Sequence, residues 1–140
     1  MIILVTGISG AGKTYFCKRF LEQIRASHFN NDYIRKITDN HDFSMAGRTL
    51  AAQNMAEAIF SSDSEIVLVD MICPTKELRR IIKPDTIVYI KSDCPSQFPD
   101  TDALYEEPTA DEARYFFSCY TRKVDQLVDR VTYWLHKNPQ

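Results

Sequence analysis

The stretch from Gly7 to Thr14, Gly-Ile-Ser-Gly-Ala-Gly-Lys-Thr, constrains this chain more than any other, and it holds three of the chain's four glycines. A glycine, four residues, then Gly-Lys-Thr is the spacing of a phosphate-binding loop. The preceding Ile2-Ile3-Leu4-Val5 is apolar on consecutive positions and reads as a parallel strand covered on both faces. Thr14 to Ser27 then reads as a helix, with Phe16, Phe20, Leu21 and Ile24 on one stripe and Lys18, Arg19, Glu22 and Arg25 away from it.

Strand, glycine loop and helix together make an anion site. Glycine opens backbone conformations closed to other residues, so the N–H groups from Gly7 through Ser9, Gly10, Ala11 and Gly12 can turn inward, and the helix dipole favours the same anion. Lys13 is placed to reach the outer phosphates of ATP, and the Thr14 hydroxyl to hold Mg2+. A glycine turn without a ligand accounts for neither side chain.

Further along, His28 to Ile37 has weak strand character and becomes polar around Asp39-Asn40. A helix is expected from about Met45 to Phe60, capped by Ser44, with Leu50, Met55, Ala58 and Ile59 inward. Ile66 to Val69 reads as a buried strand ending in Asp70, Thr75 to Ile82 as a short helix stopped by Pro84, and Thr86 to Ile90 as another strand. Residues 91–108, with Pro95, Pro99 and Pro108, read as a surface loop. A capping box at Thr109 to Glu112 predicts one long helix over 109–137, with Phe116, Tyr120, Val124, Leu127, Val131 and Trp134 on a stripe that packs on the sheet or forms a homodimer contact. The alternation predicts an α/β fold: a three-layer P-loop arrangement with a mainly parallel sheet and helices on both faces.

At 140 residues the expectation is one domain, 1–140. The net charge of −2 argues against nucleic acid as a partner, and no apolar run is long enough for a membrane span or a signal peptide. Cys17, Cys73, Cys94 and Cys119 are scattered, which suggests reduced thiols in a cytoplasmic protein, and the dispersed His28, His41 and His136 do not suggest a metal site built of side chains alone.

Beyond the glycine loop, the segments NNDYIR, DFSMAGR, IVLVDMICPTKELR and FPDTDALYEEP occur in the order seen in adenylylsulfate kinases, and the chain resembles that family from Met1 to about Pro108. The resemblance implies a kinase that moves the γ-phosphoryl group of ATP to the 3′-hydroxyl of adenylylsulfate. It places Asp32 as the base and beside the metal, Arg35 and Arg48 on the substrate's phosphosulfate, and Phe43 and Phe98 on either face of its adenine, with Ile72 beside the substrate. It also aligns Pro74, Lys76, Arg79, Tyr105, Glu106 and Pro108 with family positions. Asp70, an acid ending a strand beside the glycine loop, is a further candidate for magnesium through water, although the family carries a small polar residue there. Asp32 can alternatively serve a turn. Lys76 and Arg79 can be no more than a basic helix face.

Several positions depart from the pattern. Asn30-Asn31 replace the family's first aspartate and glycine, Tyr33 an asparagine, Ala51 an asparagine, Cys73 a serine and Thr75 an aromatic. The family's basic lid is cut down to Lys91–Gln97. Such losses change substrate recognition or the exclusion of water. Two alternatives therefore stand beside adenylylsulfate: a kinase acting on another nucleotide, nucleoside or modified base, and a nucleotide-binding regulatory protein without catalysis.

Overall fold

The computed structural model describes residues 1–140. Five strands form one sheet: β1 (Ile2–Thr6), β2 (Ser27–Asn30), β3 (Val67–Asp70), β4 (Thr86–Lys91) and β5 (Tyr115–Tyr120), in the order β2-β3-β1-β4-β5. Every pairing is parallel, so the sheet is wholly parallel. From β1 the chain passes left to β2 and returns through β3, then crosses to β4 and β5 on the right. The loops after β1 and β3 thus diverge at the carboxyl end of the sheet, where open parallel sheets bind ligands.

Alternate side chains of the central strands feed two cores. Ile3, Val5, Leu68, Val88 and Ile90 pack with Phe16, Cys17 and Phe20 of α1 (Lys13–Leu21) and with Val124, Leu127, Val128, Val131 and Leu135 of the last helix. On the other face Leu4, Val67 and Val69 pack with Ile34 of α2 (Asn31–Ile37), Ala51, Ala52, Met55 and Ile59 of α3 (Met45–Phe60), and Leu78 and Ile82 of α4 (Lys76–Ile82). The three-layer α/β fold expected from the alternation is the fold observed.

Local signals explain most boundaries. Ser44 caps α3 through Gly47 N–H, and Thr75 caps α4 through Leu78 N–H. The first helix ends at Leu21, short of Ser27, because the chain must already be extended there to pair with Val67. The polar stretch after His28 holds a helix, α2, whose first turn is capped by the Asn30 side chain. Leu50 is exposed, since α3 presents Ala51, Ala52, Met55 and Ile59 to the core and leaves Leu50 on the outer flank.

Two further expectations fail. The 91–108 stretch is not wholly loop: a short α5 (Pro99–Leu104) lies within it, begun by Pro99, whose fixed φ suits a helix start. The long helix over 109–137 does not exist either. The capping box forms, but it opens only a single 3-10 turn, Ala110–Glu112; the chain then extends as β5, makes a second 3-10 turn over Thr121–Lys123, and only then enters α6 (Val124–Lys137). Tyr-Phe-Phe-Ser-Cys-Tyr has the aromatic content of a strand, and pairing with β4 from Thr86↔Tyr115 to Lys91↔Tyr120 overrides the i, i+4 spacing of Phe116 and Tyr120. The rest of the stripe is consumed in the core, and Trp134 lies on Tyr115 and Phe117 with ring centroids 4.6 and 5.3 Å apart.

Candidate active site

The glycine loop runs from the end of β1 into α1. A Cβ on Gly7 would stand 2.4 Å from the backbone oxygen of Ile90, so β1 and β4 approach here as only glycine permits. Gly10 and Gly12 have φ of 79° and 117°, in the left-handed region that favours glycine, and these turn the loop back over the helix start. Lys13 is buried, and its Nζ donates to the carbonyl of Ile8 at 2.9 Å, folding the side chain over the loop. Burial lowers its pKa, opposed by the charges of Asp70 and Asp32. Thr121 Oγ1, just after β5, donates to the Ala11 carbonyl and braces the loop from the β5 edge of the sheet.

Asp70 lies at the centre of the polar floor and is only 4% exposed. Its Oδ2 accepts from Thr14 Oγ1 at 2.8 Å and from Asn30 Nδ2 at 3.1 Å. Burial pushes its pKa up, but His28, the Thr14 hydroxyl, the Lys13 charge and the Asn30 amide together outweigh burial and hold it below the usual carboxylate value. Asn30 and Asp70 are register partners across β2 and β3. The Asn30 amide serves both sides, because its oxygen caps Asp32 and Tyr33 N–H while its nitrogen donates to Asp70. An aspartate could do only the first.

A cavity of about 820 Å3 opens from this floor. Asp32, on the first turn of α2, is exposed and faces it, as do Arg35, Phe43, Arg48, Ile72 and Phe98. Arg35 is 8% exposed; its Nη1 donates to the carbonyls of Asn40 and Asp42, and its guanidinium lies 4.2 Å from the Phe43 ring centroid. Arg48 reaches the same ring at 5.7 Å, donates through Nε to the Phe43 carbonyl and through Nη2 to Thr101 Oγ1 at 2.9 Å. Burial lowers the pKa of both, and the charge of Arg48 lowers that of Arg35 further, so two cations share one wall and an anion between them would relieve both. Phe43 and Phe98 expose 61% and 48% of their surface, more than any other phenylalanine of the chain except Phe60.

The structure brings Ser9, Gly10, Lys13, Thr14, Asp32, Arg35, Phe43, Arg48, Asp70, Ile72 and Phe98 to one cavity, while Gly7, Ala11 and Gly12 shape the loop behind it. Asn30, which the sequence marks only as a departure from the resemblance, also lines it, as do Gln97, Asp100 and Thr101, which carry no site signal in the sequence. For Asn30 a signal existed, a capping residue two positions before Asp32; the other three lie on the segment that substitutes for the lid and follow no periodic pattern. Arg79 is not a surface charge: 1% exposed, it pairs with Glu112 at 2.7 Å and donates to the Cys73 carbonyl at 3.0 Å, holding the loop after β3. Tyr105 bonds the Thr6 hydroxyl, and the Glu106 N–H donates to the Pro74 carbonyl, so this segment closes the strand ends.

The family description "Adenylylsulphate kinase" matches residues 1–106 of the chain. The chain belongs to the adenylylsulphate kinase family. It is accordingly a P-loop kinase, and the family implies ATP and a divalent metal ion. Solved structures of similar fold include the Mycobacterium tuberculosis APS kinase in complex with AMPPNP and APS, at 19% identity over 96% of both chains with a TM-score of 0.69. A sugar kinase from Janibacter sp. HTCC2649 shares 16% identity over 99% of this chain and 95% of its own, with a TM-score of 0.73. Shikimate kinase from Acinetobacter baumannii in complex with shikimate shares 17% over 99% and 93%, with a TM-score of 0.63. No curated protein matches. No helix of this adenylylsulphate kinase family member is long and apolar enough to cross a membrane, and its four cysteines are unpaired.

Proposed function

We propose that the chain transfers the γ-phosphoryl group of ATP to the 3′-hydroxyl of adenylylsulfate. The observation that carries this reading is the joining, in one cavity, of a phosphate loop, an exposed carboxylate at Asp32, a two-guanidinium wall and two exposed phenylalanines. Gly7 to Thr14 bind the donor's phosphates, and Lys13 swings from the Ile8 carbonyl to meet them. A divalent ion suits the donor set, since hard cations take oxygen ligands and the Thr14 hydroxyl lies 2.8 Å from an Asp70 carboxylate oxygen. Thr14, Asp70 and Asp32 are the residues that would hold Mg2+, directly or through water. When bound, the ion supplies charge neutralisation at the transferring phosphoryl group.

Asp32 receives the acceptor's hydroxyl proton as the oxygen attacks phosphorus, the P–O bond to the donor breaks, and the nucleoside diphosphate leaves with the electron pair. Arg35 and Arg48 orient the acceptor's anionic group, and Phe43 and Phe98 hold its base by stacking. Residues 97–101 wall the cavity after the shortened lid, tethered through Arg48 to Thr101. The free thiols fit a reducing, cytoplasmic setting.

A second reading is favoured by one observation. Ala51 and Cys73 are both buried, so the polar contacts that the family's asparagine and serine make at these two positions have no counterpart. Loss of such contacts shifts acceptor choice, and a nucleotide or nucleoside other than adenylylsulfate is the alternative acceptor. Incubation of the protein with ATP, Mg2+ and a panel of hydroxyl acceptors, read by product mass, decides between them. Phosphoadenylylsulfate as the dominant product supports the first reading; a phosphorylated nucleoside with none of that product replaces it with the second.

A further inference from the structure

Beneath the phosphate loop, on the α1 side of the sheet, three side chains of different elements converge. Cys17 sits on α1 one turn after Lys13 and is fully buried; His28 lies on β2; Asp70 ends β3. Cys17 Sγ, a ring nitrogen of His28 and a carboxylate oxygen of Asp70 all lie within 4.8 Å of one another, and His28 Nε2 is 3.6 Å from Asp70 Oδ2. That last separation is too long for a hydrogen bond and close to the spacing of two ligands on a tetrahedral ion with bonds of roughly 2.0–2.3 Å. His28 Nε2 is sealed from solvent and has no hydrogen-bond partner in the protein, a condition rare for a buried polar atom.

Neither Cys17 nor His28 lines the cavity in which donor and acceptor would meet. We propose that Cys17, His28 and Asp70 form a second cation site, selective for a thiophilic divalent ion such as Zn2+. Three facts point to that class. A thiolate, an imidazole and a carboxylate are the donors zinc takes, whereas magnesium takes oxygens. One thiolate and one carboxylate balance a 2+ charge, so the filled site is neutral and tolerates the neighbouring Lys13 ammonium. Three protein ligands leave one position open, and His28, 25% exposed at its side chain, provides the way in. On binding, the Cys17 S–H bond breaks, its proton passes to solvent and a metal–sulfur bond forms; His28 contributes its Nε2 lone pair with the ring proton on Nδ1.

Occupancy has a consequence that rests on the function proposed above. The Asp70 oxygen closest to His28 is the one that accepts from Thr14. An ion held there takes Asp70 from the Thr14 side of the donor site, so zinc and a productive Mg2+–ATP complex exclude one another, and zinc acts as an inhibitor from beneath the loop.

The test uses the full chain with exposed Cys94 replaced by Ser, so that surface thiol is silent. Zn2+ alone is titrated against a chromophoric chelator, and Co2+ alone is added as a spectroscopic probe. The expected result is one ion per chain and a thiolate-to-cobalt charge-transfer band, with affinity falling in Cys17→Ser and in His28→Gln by more than the roughly 10–100-fold that loss of an outer-shell partner costs. Cys17→Ala serves if the serine disturbs the core, and far-ultraviolet circular dichroism verifies folding of each. Wild-type affinity in both the cysteine and histidine variants, or a cobalt spectrum without the sulfur band, overturns the site. Turnover of ATP is then followed in a chelator-buffered series of free Zn2+, where the parent is inhibited and the Cys17 variant, active without zinc, is not. Equal inhibition of both overturns the exclusion while leaving the binding result in place. A parent that binds zinc but never turns over ATP counts against the kinase reading alone.

Discussion

Asn30→Asp is the substitution that probes the polar floor most sharply. The new side chain keeps a cap for α2, since aspartate caps as well as asparagine, so the helix start is unaffected. What changes is the group 3.1 Å from Asp70 Oδ2, where an amide donor becomes a carboxylate oxygen. Two full charges at that distance repel by about 5 kcal/mol at an effective dielectric of 20. Lys13 offsets part of this, and the pair responds by keeping a proton, so one carboxylate titrates above its ordinary range. The sign follows from linkage: a carboxyl whose folded pKa lies above its unfolded value stabilises the fold below the unfolded pKa, and that stabilisation is lost as pH rises through the folded pKa. The variant should therefore be close to the parent at pH 4, within about 1 kcal/mol, and weaker by about 2–4 kcal/mol at pH 7–8. Urea unfolding of both proteins across that range measures it. A penalty that does not change with pH, or no penalty at pH 8, refutes the assignment of Asn30 as a hydrogen-bond donor to the ionised Asp70.

Other predictions concern the frame and the cavity. Arg79→Met leaves Glu112 buried without its partner and should destabilise the protein by about 3–5 kcal/mol in urea unfolding, with Arg79→Met/Glu112→Met recovering most of the loss. The Glu112 pKa is pushed up by burial but held low overall by Arg79 and the Thr109 N–H, so its contribution is complete above the unfolded value of roughly 4.3 and is lost on acidification; the double variant should lack that part of the acid limb. Gly7→Ala drives a Cβ against the Ile90 carbonyl and should cost about 1–3 kcal/mol together with nucleotide affinity, measured by unfolding and calorimetry. Phe98→Ala removes one stacking face at about 1–3 kcal/mol, raising the acceptor KM roughly 5- to 150-fold with little change in the KM for ATP; an unchanged acceptor KM removes Phe98 from the binding wall.

The parts of this fold legible in the sequence are those where local chemistry and tertiary demand coincide. Consecutive apolar residues marked β1, β3 and β4 because both sheet faces are covered, and Ser44 and Thr75 marked helix starts because their hydroxyls cap backbone N–H groups. β5 was hidden because Phe116 and Tyr120 happen to extend the helical phase of α6, and only pairing with β4 decides between the two. In the site, the glycine loop announces itself through residue types that phosphate requires. The partnership of Asn30 with Asp70 spans forty residues and follows from strand register, which no local pattern encodes. The burial of Arg79 was likewise unreadable, since a basic residue on a short helix looks the same whether it meets water or Glu112.

The most direct test of the account is phosphoryl transfer by Asp32→Asn. With ATP, Mg2+ and adenylylsulfate, the wild-type chain is predicted to form phosphoadenylylsulfate, seen by mass, while the variant still binds ATP and forms at most about a hundredth as much product in the same time. Equal product from both proteins would contradict the assignment of Asp32 as the base, and the absence of any phosphorylated acceptor from the wild type would contradict the proposed reaction itself.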